Sequence, residues 1–144
     1  MGTLSHTRSN RGMMDAMRRA LLLAVSLAIV TPLGFYAKRG YHGPAWQWVR
    51  DSFGGALYEI FWCLLIALVL PRVRPERIAL AVLIATCILE FLQLWHPPFL
   101  EWARSYFIGR TILGSYFDWM DFPYYFAGSF LGYWWLRALT PSKR

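Results

Sequence analysis

Four apolar stretches, Ala20 to Tyr36, Phe53 to Leu70, Ile78 to Trp95 and Phe122 to Leu139, take up about half of the chain. Each approaches the roughly 20 residues that a helix needs to cross a ~30 Å hydrocarbon layer. In a chain of 144 residues, 57% hydrophobic and 18% aromatic, they carry more apolar surface than a small water-soluble core can bury. The expected fold is an all-α integral membrane protein with four transmembrane helices in residues 20–139, flanked by cytoplasmic tails at 1–19 and 140–144. Arg18 and Arg19 before "ALLLAVSLAIV" resemble the start of a secretory signal, but no A-x-A-like site follows in "TPLGFYAKRG". The first stretch is therefore read as a retained anchor.

The basic residues give an orientation. Arg8, Arg11, Arg18, Arg19, Arg72, Arg74, Arg77, Arg137, Lys143 and Arg144 fall on one side of such a bundle, against Lys38, Arg39, Arg50, Arg104 and Arg110 on the other. Both termini are expected in the cytoplasm. The net charge of +7 follows from this asymmetry and suits anionic lipid. No groove-reading or single-strand motif accompanies it, so nucleic acid is not an expected partner. Most carboxyls lie on the opposite, outer side, where the connections "KRGYHGPAWQWVRD" and "HPPFLEWARSYFIGRTILGSYFDWMD" are long and aromatic. Pro97 and Pro98 end the third helix, and the residues after them are read as a short interfacial or re-entrant helix between helices three and four.

Two glutamates break the apolar pattern. Counted at ~1.5 Å per residue from Leu70 and Ile78, Glu59 and Glu90 both sit about 17 Å from the inner boundary, just past the midplane. A bare carboxylate there costs ~2.5 kcal/mol or more, so both are expected to face inward. Gln93 shares a helix face with Glu90 at i, i+3, and Tyr58 and Trp62 flank Glu59. Glu59 and Glu90 are the candidate catalytic or orienting carboxyls; Tyr58, Gln93, Arg104, Arg110, Asp118, Asp121 and Tyr125 are candidate ligand-binding residues. An outer-loop arginine, Arg104 or Arg110, is the expected cationic partner of Glu90. Gly128 and Gly132, in small-xxx-small spacing, are expected at a helix-packing seam.

Other chemistries find little support. His42 and His96 lie on the outer side, but no E-x-x-H, H-x-x-x-H or C-x-x-C spacing occurs, so neither a metal nor another cofactor is expected. Cys63 and Cys87 fall inside helices and read as packing residues. Trp46, Trp48, Trp95 and Trp102 suit an aromatic belt. No nucleophile elbow or H-E-x-x-H motif points to an enzyme.

"GALYEIFWCLLIALVLPR", the pair Glu90-x-x-Gln93, an arginine between the third and fourth helices, and Asp121 followed by Tyr125, Gly128 and Gly132 resemble the VanZ-like small membrane proteins. The resemblance runs from Asp51 to Gly132 and is strongest to a related uncharacterised bacterial group sometimes labelled ribosomal-maturation proteins. It implies a multi-pass protein of the bacterial inner membrane with a polar site. The chain departs from that pattern at Tyr58 and Glu59, where a Lys and a His are usual, and at Tyr125, where an Asn is usual. The expected function is to bind or process an anionic lipid or lipid-linked headgroup, with membrane lipid as partner. The alternative is a non-catalytic subunit or assembly factor, bound to another membrane protein or to further copies of itself.

Overall fold

The structure is a computed structural model that describes residues 3–114 and 117–140, with side chains described from residue 12 onward. The side chains of Arg8 and Arg11, and Ser115, Tyr116, Lys143 and Arg144, lie outside the described residues. In chain order the α-helices are α1 (Thr3–Phe35), α2 (Trp46–Trp48), α3 (Gly54–Val69), α4 (Pro75–Leu92), α5 (Pro98–Ser105), α6 (Phe107–Leu113) and α7 (Asp121–Leu139). Two π-helical turns, Tyr36–Gly40 and Val49–Phe53, extend α1 and join α2 to α3.

Gly12–Gly40 and Trp46–Val69 are long and apolar enough to cross a membrane. α4 and α7, of 18 and 19 residues, are shorter and more polar: α4 carries Glu76, Arg77 and Glu90, and α7 is rich in Tyr and Trp. Helix boundaries follow local chemistry. Pro75 occupies the first turn of α4, where its missing N–H is not needed, and Pro98 does the same for α5.

α3 lies at the centre, packed against α7, α1 and α4, and α7 also packs on α4. Leu57, Ile60, Cys63, Leu64 and Ala67 of α3 are buried with Ile78 and Val82 of α4 and Leu136 of α7. The α3–α7 contact is close because of two glycines. A Cβ on Gly128 would come within 2.7 Å of the Ala56 carbonyl oxygen, and one on Gly132 within 2.9 Å of Cys63 Sγ. At the end of the bundle that holds Pro71, Arg19 donates to the Pro71 carbonyl at 2.7 Å, tying α1 to the α3–α4 turn. α5 and α6 cover the opposite end.

Three boundaries differ from the sequence reading. The helix of α1 starts at Thr3 and so includes residues read as a tail. The connection "KRGYHGPAWQWVRD", read as long, shrinks to Tyr41–Ala45, because both flanking helices continue through it by π turns. Ala45, with φ of 56°, makes the reversal. The segment after Pro97 forms two short helices, broken at Tyr106 where the backbone is extended.

Candidate functional site

Both intrahelical glutamates are enclosed, Glu59 at 0% and Glu90 at 1% exposure. Their surroundings differ. Glu59 sits where α3, α4 and α7 meet. Thr86 Oγ1 donates to its Oε1 and Ser129 Oγ to its Oε2, the latter at 2.8 Å. Thr86 also lies 3.0 Å from the Val82 carbonyl oxygen, so one hydroxyl ties the α4 backbone to the α3 carboxyl. Beside the close glycine seam, Glu59 is a sealed polar link between three helices.

Glu90 faces a cavity. Gln93 Nε2 and Tyr125 Oη donate to its Oε2 at 2.9 and 2.8 Å, and the Asp118 backbone N–H donates to its Oε1 at 2.9 Å. Three donors from α4, α7 and the α6–α7 loop thus converge on one carboxyl group, which has about four acceptor positions. Beside it lies a space of ≈ 50 Å³, lined by Glu90, Gln93, Tyr58, Tyr125 and Lys38 and roofed by Thr111, Ile112 and Gly114. About 10–15 Å³ suffices for a water, so the cavity accommodates a small polar group.

The roof depends on backbone geometry. Tyr58 Oη donates to the Ile112 carbonyl at 3.1 Å, holding α6 over the opening. Gly114 has φ of +68°, a left-handed conformation suited to glycine, and a Cβ there would lie 2.5 Å from Gln93 Nε2. Gln93, 7% exposed, uses its amide N–H on Glu90 and leaves Oε1 buried without a partner among the described residues. The reverse amide orientation would set oxygen against oxygen at Glu90. The acceptor is therefore fixed in place on a residue that lines the cavity.

The structure brings Tyr58, Glu90, Gln93 and Tyr125 together at this cavity and adds the Asp118 main chain. The Asp118 carboxylate turns away to accept the Met120 N–H at 2.9 Å, at the start of α7. Asp121 lies half-buried on the first turn of α7, within electrostatic reach of Glu90 and Lys38. Glu59 does not line the cavity; Thr86, its hydrogen-bond partner, does.

Neither Arg104 nor Arg110, the expected cationic partners, reaches Glu90. Arg104, 5% exposed, donates to the carbonyls of Leu92 at 2.9 Å and Trp95 at 3.1 Å and pairs with Glu101 at 2.9 Å. It joins the Trp95 N–H on the Leu92 carbonyl at the end of α4 and reaches the Trp95 carbonyl just beyond, bracing the C-terminal end of that helix. Arg110 is exposed, with Nε directed at the Arg104 carbonyl oxygen at 3.3 Å.

The cation at the cavity is Lys38, which the sequence reading uses only for orientation. It stands in the π turn that ends α1, where the Tyr41 N–H bonds the Tyr36 carbonyl at 2.9 Å. Such a turn re-aims the side chains that follow it, and π turns are frequent at functional sites. Among the described residues Lys38 forms no ion pair. Thr86 and Ser129 also escape the sequence reading. Thr86 sits one helical turn before Glu90, and that spacing is the signal that could have found it.

No curated protein and no solved structure matches the chain. A family model described as "Protein of unknown function (DUF2809)" matches residues 45–129, from the start of α2 into α7. The match spans every residue that bonds either buried glutamate, and it leaves Lys38 and Gly132 outside. Covering more than half of the chain, it places the protein in the DUF2809 family.

Proposed function

We propose that this is a four-span protein of the bacterial inner membrane, with both termini cytoplasmic, that binds an anionic lipid or lipid-linked headgroup in the cavity beside Glu90. The four-span reading is supported by outward apolar stripes on the two more polar helices. Leu80, Ile84 and Ile88 of α4, and Phe126, Phe130 and Trp134 of α7, each recur every four residues and are all more than half exposed. Leu21, Val25, Ile29 and Leu33 give α1 an exposed stripe of the same spacing. Polar groups inside and hydrocarbon outside suit lipid as the solvent. Kinship with the VanZ-like proteins, carried by Glu90, Gln93 and Asp121, belongs to the same proposal.

One observation carries the binding reading: Lys38, which forms no ion pair among the described residues, and Gln93, whose buried Oε1 has no partner among them, line the same small cavity. Together they complement a group that is anionic at one end and donates a hydrogen bond at the other. Binding is favoured over catalysis because Glu90 is already engaged by three donors of its own chain and Glu59 is closed off. Quantifying the lipid that co-purifies with the gently solubilised protein tests this. Anionic lipid enriched on the wild type and depleted on Lys38→Gln supports the site, and equal, unselective lipid on both removes it.

The subunit reading draws on a different surface. Phe91, Phe117, Trp119 and Phe122 form an aromatic cluster with centroids 5.0–6.2 Å apart, and Trp119 is 68% exposed. That role predicts a membrane-protein partner lost on Trp119→Ala and retained on Glu90→Gln.

A further inference from the structure

A second space adjoins the polar cavity. It has a volume of ≈ 290 Å³ and lies between α1 and α3, lined by apolar groups that include Val30, Gly34, Leu57, Phe61 and Leu65. Lys38, Tyr58, Thr111 and Ile112 line both spaces. Along α3 the apolar groove runs from Gly54 to Leu65, about 16 Å at ~1.5 Å per residue. A narrow polar chamber thus lies against a long apolar trough, with Lys38, Tyr58, Thr111 and Ile112 between them.

From this juxtaposition we infer that one amphiphile occupies both spaces: a membrane lipid with its phosphate at Lys38, a small hydroxyl-bearing headgroup reaching Gln93, and one hydrocarbon chain in the α1–α3 groove. The inference rests on the headgroup reading above and deepens it. The size of the polar chamber limits what lies beyond the phosphate to a few atoms. Gln93 Oε1, without a partner among the described residues, is matched by a donor there, which a hydroxyl supplies and a quaternary ammonium does not. The groove itself gives little hydrophobic driving force, because lipid tails are as apolar as the residues that line it. Lys38 therefore selects which lipid lies in the groove, and the groove fixes where its tail goes.

The test uses the full-length protein in phosphatidylcholine nanodiscs that contain phosphatidylglycerol with a diazirine in one acyl chain. After illumination, cross-linked peptides are mapped by mass spectrometry for wild type, Lys38→Gln and Gly34→Leu. A Cβ on Gly34 stands 4.0 Å from Leu57 Cβ, so leucine starts without a clash and projects into the groove. Cross-links on wild type are expected to concentrate on residues 30–35 and 57–65, and both variants are expected to lose that concentration. Wild-type cross-links spread evenly over the exposed stripes of α4 and α7 overturn the inference. If bound anionic lipid still depends on Lys38 in that case, the headgroup site stands and the tail groove alone falls. If that dependence is absent too, both fall.

Discussion

The phenol of Tyr125 donates a 2.8 Å hydrogen bond to Oε2 of Glu90, joining α7 to α4 at the wall of the polar cavity. It is one of three donors on that carboxyl group, and the set acts as a clasp between two helices and a loop. Glu90→Ala leaves the Gln93, Tyr125 and Asp118 donors without their acceptor. A buried donor left unpaired costs ~1–3 kcal/mol, so a loss of about 3 kcal/mol or more is expected. Glu90→Gln, which keeps an acceptor oxygen, should lose less, and Tyr125→Phe about 1 kcal/mol. Thermal unfolding in detergent ranks the three variants, and a Glu90→Ala protein as stable as wild type would contradict the clasp.

The Gly128 seam makes a different stability prediction. Gly128→Ala places a methyl group against backbone on α3, which forces the helices apart at an expected cost of ~1–3 kcal/mol. A Cβ added at Gly12 would meet nothing within 4 Å, so Gly12→Ala should be neutral or stabilising by up to about 1 kcal/mol through helix propensity. Comparing the unfolding midpoints of the two variants checks the seam directly.

Arg104 is predicted to act on α4 and not on ligand. Arg104→Ala frees the Trp95 carbonyl and leaves that of Leu92 only its bond from the Trp95 N–H, and should cost ~1.5–3 kcal/mol, the range for hydrogen bonds to charged groups. Arg110→Ala should fall within about 0.5 kcal/mol of wild type. Hydrogen exchange is expected to speed up at the C-terminal turn of α4 only for Arg104→Ala. Loss of bound lipid without such loosening would instead assign Arg104 to the ligand.

Much of this arrangement can be read from residue spacing. The four apolar stretches correspond to α1, α3, α4 and α7, and the i, i+3 relation of Glu90 and Gln93 appears as a 2.9 Å hydrogen bond. Local periodicity encodes such contacts. Contacts set by chain reversal are not legible there: Lys38 reaches the cavity only because a π turn prolongs α1. The loop after Pro97 does fold over the bundle, but it delivers Thr111, Ile112 and Gly114 to the roof, while Arg104 serves a helix end. Likewise, the two glutamates look alike in sequence, and only the packing of Thr86 and Ser129 separates the sealed Glu59 from the cavity-facing Glu90.

Orientation is testable with single cysteines in a background lacking Cys63 and Cys87. His42→Cys should react with an impermeant maleimide added from outside the cell, and Arg74→Cys only after the membrane is opened. The reverse pattern would invert the topology.

The proposed headgroup site makes Lys38 the cation on which lipid selection depends, so its removal tests the central claim most directly. Native mass spectrometry of wild type, Lys38→Gln and Lys38→Arg should show an anionic-lipid adduct on wild type, its loss on Lys38→Gln and its retention on Lys38→Arg. An adduct of unchanged mass and occupancy on Lys38→Gln would contradict a headgroup site at this cavity.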